Sequence, residues 1–145
     1  MKLDYLQALK RIESARGAWV LHGQEPLLEQ NLLDAFRRHW QAQGIERQRY
    51  DLSNVGDWKT VFSALNSLSL FATQLAIEVH GNIKPDASAL KQLDNYLLQG
   101  DSNENLLLIV MPKQDSASLK TKFFQTIDAN GTIVALTAHY EPDRQ

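Results

Sequence analysis

Residues 106–111 read LLLIVM, an unbroken run of apolar residues in the second half of the chain. A β-strand that is apolar at every position has to be covered on both faces, as helices cover the central strand of a parallel sheet. The run is far shorter than the roughly 20 apolar residues that a membrane-spanning helix needs. It therefore predicts an interior strand over residues 106–110, with an α/β domain built around it.

Strand-like and helix-like patterns alternate along the rest of the chain. Short strands are predicted at residues 18–22, 47–52, 75–79 and 132–136, and the segment at 47–52 is the most polar of them. Apolar residues recur at helical spacing through residues 5–12, 26–44, 57–65, 90–97 and 115–127. Strands that alternate with helices predict a parallel sheet of about five strands flanked by helices, with residues 47–52 toward an edge.

Single residues mark where several of these helices should begin and end. Pro26 suits the first turn of a helix, where its missing N–H costs nothing. Gly44 and Gly100 are suited to closing the helices that precede them, and Asp57 is suited to capping the helix over residues 57–65. Asp115 or Ser116 is expected to cap the last helix.

The composition is that of an ordinary globular domain. Hydrophobic residues make up 43% of the 145 residues and charged residues 22%, so we take residues 1–145 as one domain. The net charge of −2 gives no global reason to expect nucleic acid or an anionic membrane as a partner. The absence of cysteine excludes disulfides, thiolate metal sites and cysteine nucleophiles, and it favours a cytoplasmic location.

The segment after the first long strand, Gly23 to Gln30, occupies the place of a phosphate-binding loop in this class of fold. Against the pattern G-x-x-x-x-G-K-[ST], only the first glycine is present. Leu28, Glu29 and Gln30 replace the second glycine, the phosphate-binding lysine and the magnesium-binding hydroxyl. We expect a nucleotide-binding architecture without a functional loop, although the segment alone is equally compatible with an unrelated α/β domain.

No arrangement of residues indicates a catalytic or metal site, and no cofactor is expected. The histidines lack metal-ligand spacing, and a structural or solvated role is expected for each: His22, His39, His80 and His139. Four arginines suggest a small basic patch, for which a solvated helix face beside a charged edge strand is the preferred interpretation: Arg37, Arg38, Arg47 and Arg49.

Residues 66–74, NSLSLFATQ, connect a predicted helix to the next strand and carry two adjacent bulky apolar residues, Leu70 and Phe71. A short loop does not easily turn two neighbouring side chains inward. An aliphatic and an aromatic anchor side by side are typical of a protein-binding hot spot. The alternative is that one or both fill the core, which is the commoner fate of large apolar residues.

The same residues carry a resemblance to a known family. The stretch LSLFA at 68–72 resembles the clamp-binding element of the delta subunit of the bacterial DNA polymerase III clamp loader. The stretch at 19–28 is similar to that family's first strand and degenerate phosphate loop, and Asp57-Trp58 fits the head of its third helix. The central strand and the helix after it also agree, through residues 105–110, Lys113, Leu119, Lys122, Phe123 and Phe124.

The resemblance implies the N-terminal, RecA/AAA+-like domain of a delta subunit that has lost ATP binding. It implies a non-enzymatic role within the DNA polymerase III holoenzyme, with the sliding clamp (the beta subunit) as partner and one clamp interface opened or held open. Leu70 and Phe71 would enter a hydrophobic pocket on the clamp, with Leu68, Ser69 and Asn66 alongside. Asn66 stands where clamp-binding peptides usually have glutamine.

The family continues into a lid and a collar domain, so the resemblance implies that residues 1–145 are an N-terminal fragment. Other loader subunits would be contacted through the domains absent here, DNA only indirectly, and membranes not at all. Two other functions stay open from the sequence. One is an ATP-binding AAA+-type nucleotidase, against which the Gly23–Gln30 segment argues. The other is a nucleic-acid-binding α/β module, which would need a basic stripe with interleaved aromatic residues.

Overall fold

The computed structural model describes residues 1–67 and 74–137, in which strands and helices alternate. The first half holds β1 (Lys2–Leu3), α1 (Tyr5–Leu9), β2 (Ala18–Gly23), α2 (Pro26–Gln43), β3 (Glu46–Asp51) and α3 (Asp57–Leu65). The second half holds β4 (Leu75–His80), α4 (Ala87–Leu98), β5 (Leu106–Pro112), α5 (Ser116–Leu119), α6 (Lys122–Asn130) and β6 (Thr132–Leu136). Short 3₁₀ turns lie at Ile12–Ser14 and Gly100–Ser102.

The strands form one six-stranded sheet in the order β1-β6-β2-β5-β4-β3. Each neighbouring pair is parallel, with Val20 of β2 opposite Ile109 of β5 and Leu107 of β5 opposite Ile77 of β4. The prediction of a parallel sheet with residues 106–110 in its interior is confirmed, and β3 lies at an edge as predicted. The strand missing from the prediction is β1, whose two residues are too few to show an alternating pattern.

The strand β5 divides the core into two clusters, one on each face of the sheet. Leu107, Ile109 and Met111 pack in the cluster that holds the apolar residues of α3, α4 and α6. Leu106, Leu108 and Val110 pack in the cluster that holds those of α1 and α2. The run is apolar at every position because alternate residues are buried on opposite faces of the sheet, as the sequence predicted.

Most helix ends agree with the signals in the sequence. The helix α2 begins at Pro26 and ends at Gly44, whose φ of 70° is the left-handed conformation that glycine adopts without steric cost. The prediction for Asp57 is wrong in detail. Gly56 is the capping residue of α3, and the Asp57 carboxylate instead accepts hydrogen bonds from the backbone N–H groups of Ser53 and Asn54.

Two predicted helices are shorter than expected. The helix predicted over residues 5–12 ends at Leu9 and gives way to a 3₁₀ turn. The helix predicted over 115–127 is two helices, because Thr121 adopts an extended conformation (φ −68°, ψ 160°) and its hydroxyl donates to the Ser118 carbonyl that ends α5. Asp115 caps the first of the two as predicted, since its carboxylate accepts the N–H of Ser118.

Candidate functional site

The turn between β2 and α2 lies where a phosphate loop would lie, at the carboxyl edge of the sheet. Only Gln24 and Glu25 separate the last residue of β2 from the first residue of α2. A Cβ atom on Gly23 would lie 2.1 Å from the carbonyl oxygen of Leu136 in β6. The close approach of β6 therefore explains why this position is a glycine, without any contribution from a phosphate.

The residues that follow Gly23 form helix where a phosphate-binding loop would wrap around its ligand. Pro26 has no N–H to offer an anion at the first turn of α2. Leu28 is 7% exposed and packs in the α2 side of the core. Glu29 places a carboxylate in the same turn. The segment thus has fewer backbone donors than a phosphate loop, and it carries the wrong charge for one.

The predicted clamp-binding residues fall almost entirely outside the described part of the chain. Leu68, Ser69, Leu70 and Phe71 all belong to that undescribed segment. Asn66 is described: it is exposed, it ends α3, and its side-chain amide donates to the carbonyl of Phe62 at 2.9 Å. Its contact with a partner stays a prediction.

The chain segments on either side of residues 68–73 are joined by one side chain that the sequence did not single out for this role, Asn105. Its Nδ2 donates to the carbonyl of Leu65 at 2.8 Å and is 3.4 Å from that of Ser67. Its Oδ1 accepts the N–H of Leu75 at 2.8 Å. We call Asn105 and these three backbone partners the Asn105 bridge. Sequence patterns do not reveal it, because its partners are backbone atoms far away along the chain.

A buried carboxylate that sequence reasoning also missed lies in β4. Glu78 is fully buried, and both of its oxygens are bound by basic side chains. Arg37 of α2 approaches Oε2 through Nη2 at 2.6 Å, and Arg47 of β3 approaches Oε1 through Nε at 2.9 Å. His80 Nε2 also contacts Oε2. The cluster could have been predicted from one signal in the sequence, which is the single carboxylate, Glu78, in the otherwise apolar strand β4 next to the arginine-containing strand β3.

The electrostatics of Glu78 follow from this arrangement. Burial alone would raise the pKa of its carboxyl. The hydrogen bonds from His80, Arg47 and Arg37 outweigh burial and hold the pKa of Glu78 well below its usual range. Glu78 is therefore ionised at neutral pH despite being buried.

The interpretation of the four arginines needs correction. Arg37 is only partly solvated, and both Arg37 and the exposed Arg47 bind Glu78. Arg49 pairs on the surface with Asp51, at 3.0 Å, and Arg38 is exposed. Two of the four charges thus compensate a buried carboxylate, and the group does not form one basic patch.

Of the three histidines in the described part of the chain, His22 has the least solvated environment. It is 7% exposed, and its Nδ1 has no hydrogen-bond partner in the described structure. Burial lowers the pKa of His22, so its ring is neutral at pH 7. With Phe124 and Leu3 it lines a cavity of about 380 Å³ beside β6.

The described residues offer neither a metal site nor a membrane-spanning helix. Over residues 1–67 and 74–137, no three histidine or carboxylate side chains are placed to hold a metal ion. No helix within that part of the chain is long and apolar enough to cross a bilayer. His139 lies outside the described residues.

A family model described as "DNA polymerase III, delta subunit" matches residues 19–137. The chain belongs to this family. The DNA polymerase III subunit delta of Escherichia coli K12 is 32% identical over 126 residues, which are 83% of this chain and 35% of that subunit. The chain thus spans about a third of the length of this delta-family relative.

Solved structures agree on the fold of this delta-family chain. The DNA clamp loader delta protein of Bacillus subtilis matches 90% of the chain with a TM-score of 0.67 at 13% identity, over 42% of its own length. A DNA polymerase III gamma subunit-related protein of Thermotoga maritima matches 92% with a TM-score of 0.58 at 14% identity, over 46% of its own length. The parallel sheet flanked by helices is therefore an AAA+-like fold, shared with clamp-loader proteins.

Proposed function

We propose that this chain is a non-catalytic domain that binds the sliding clamp of DNA polymerase III and helps to open the ring or hold it open. The observation that carries the proposal is membership of the delta family across residues 19–137, a range that includes the segment with Leu70 and Phe71. In this proposal DNA is reached only through the clamp, and other loader subunits are contacted outside residues 1–145.

The non-catalytic part of the proposal is supported by the turn between β2 and α2. Its short length, the buried Leu28 and the Glu29 carboxylate do not suit a nucleotide triphosphate. The domain in this proposal supplies a binding surface within the polymerase complex, and chemical steps belong to other components.

The contact itself is proposed to be made by Leu70 and Phe71, with Leu68, Ser69 and Asn66 beside them. The two large side chains would enter an apolar pocket on the clamp. Burying a side chain of this size contributes roughly 1.5–3 kcal/mol. Two such residues would thus supply a large part of the binding free energy of a small interface.

The test is the double variant Leu70→Ala/Phe71→Ala, mixed with the sliding clamp from the same source. We expect affinity to fall a hundredfold or more, since losing both anchors costs on the order of 3–6 kcal/mol. If both side chains stand exposed, as the proposal requires, the melting temperature should hardly change, because exposed side chains contribute little to the folded state. Titration calorimetry and a thermal melt measure the two quantities.

The alternative interpretation, that both residues fill the core, gives the opposite pattern. In that case the double variant melts at a sharply lower temperature, and weaker binding only reflects unfolding. Leu27→Ala is a matched control, since Leu27 is 67% exposed on α2 and has no proposed role in binding. A stable double variant that binds the clamp as strongly as the wild type would remove these residues from the proposal.

A further inference from the structure

The backbone of Asn105 is fixed by two hydrogen bonds that do not involve the neighbours of residues 68–73. The backbone N–H of Asn105 donates to Oδ1 of Asn103 at 3.0 Å. Its carbonyl accepts the hydroxyl of Tyr96, which is buried in α4. The next residue, Leu106, begins the interior strand β5. The Asn105 backbone is therefore tied to Asn103 and to α4, directly before the interior strand β5 begins.

The Asn105 bridge needs a side chain that both donates and accepts. Leu65 is the last residue of α3, and the carbonyls of a last helical turn have no partner within the helix. Leu75 opens β4, and its N–H points at the same side chain. Asparagine meets both needs with one amide, whereas aspartate at neutral pH has no donor and alanine has neither group.

The geometry of this bridge has a consequence for residues 68–73. The carbonyls of Leu65 and Ser67 precede the segment, and the N–H of Leu75 follows it. A single amide thus sets where the segment leaves α3 and where it enters β4. Fixing both ends in the free protein lowers the conformational entropy that must be lost when the segment binds a partner.

We propose that Asn105 is a positioning residue for clamp binding, which presents residues 68–73 by anchoring the two ends of that segment to β5. The inference rests on the proposed function, since it assigns a role in binding to a side chain that does not itself touch the clamp. Asn103 assists, because its own amide is 3.3 Å from the Leu65 carbonyl.

The test compares Asn105→Ala with Asp86→Ala in the whole chain. Asp86 caps α4, where its carboxylate accepts the N–H of Ala89 at 2.9 Å, so its loss also removes a side chain to backbone bond. That bond lies near the carboxyl edge of the sheet, whereas Leu75 lies at the amino edge, where β4 begins. Each variant is titrated with the sliding clamp, and amide hydrogen exchange is followed at Leu75.

With Asn105→Ala we expect faster exchange at Leu75 and about tenfold weaker clamp binding, which corresponds to roughly 1.4 kcal/mol. Asp86→Ala should lower the melting temperature and leave both readouts at wild-type values. Asn105→Asp is the milder second variant: it keeps the acceptor for Leu75 and loses the donor for Leu65, so clamp binding should weaken while exchange at Leu75 stays slow.

Three results would overturn the inference. One is unchanged exchange at Leu75 in Asn105→Ala, and another is faster exchange with wild-type affinity. The third is an equal loss of affinity in Asp86→Ala. Failure of the proposed function shows in the Leu70→Ala/Phe71→Ala variant with Asn105 intact, whereas failure of this inference shows in Asn105→Ala with both anchors intact.

Discussion

At the scale of single residues, Glu78 is a buried carboxylate whose ionisation links stability to pH. Its pKa is depressed from the ordinary value of 4.5 by Arg37, Arg47 and His80. A carboxyl whose folded pKa lies below its unfolded pKa stabilises the fold at pH values above the unfolded pKa. That contribution is lost as the pH falls from about 4.5 through the folded pKa.

The variant Glu78→Gln tests this assignment. At pH 7 it should lower the free energy of unfolding by about 1–3 kcal/mol, because two guanidinium groups lose a buried charged partner. Urea titrations at pH 7 and pH 3 should show that the variant loses less stability on acidification than the wild type. Glu104→Gln is the control, since Glu104 is exposed and makes no ion pair within the described part of the chain. Equal losses on acidification in the wild type and Glu78→Gln would contradict the assignment.

Single residues are also where the sequence was least informative. Glu78 stands in a strand that was predicted correctly, but its partners are identified only once the registers of β3 and β4 are known. The role of Asn105 depends on backbone atoms 30 and 40 residues away. A local sequence pattern does not record such distant partners, so sites of this kind can be identified only when the fold is known.

At the scale of elements, the turn between β2 and α2 leads to a prediction about ATP. We expect no measurable binding, with or without magnesium, because the lysine, the hydroxyl and the second glycine of the phosphate pattern are absent. Glu29 adds repulsion toward a triphosphate. Calorimetric titration of the chain with Mg-ATP is the measurement, and a thermal melt in the same buffer checks that the protein is folded. A micromolar dissociation constant for ATP would show that the turn has been misinterpreted.

Elements were predictable where their signals are local. The limits of α2 follow from Pro26 and Gly44, and α5 begins where Asp115 predicts a helix start. The break at Thr121 and the brief strand β1 were missed for different reasons. The break comes from the bond of one hydroxyl to the Ser118 carbonyl three residues earlier, whereas β1 depends on distant backbone through the hydrogen bond from Ile133 N–H to the Met1 carbonyl. Periodicity does not record such contacts.

At the scale of the whole molecule, stability depends on the two faces of β5. Leu108 and Ile109 are adjacent, fully buried and packed in opposite clusters. Replacing either by alanine should cost roughly 2–5 kcal/mol, because each substitution leaves a cavity in a closed core. Thermal melts of the two variants measure the loss, beside Leu27→Ala as a surface control. Melting like the wild type in both core variants would be incompatible with an interior β5.

The position of Leu28 has a consequence for how this domain can change. A change toward the phosphate pattern would have to put glycine at Leu28, lysine at Glu29 and a hydroxyl residue at Gln30. The first of these steps removes a side chain that is 7% exposed in the α2 side of the core, and it puts the poorest non-proline helix former near the start of α2. The intermediate would lose stability before it gained any nucleotide affinity. The packing of one leucine therefore makes nucleotide binding hard to introduce into this turn one substitution at a time.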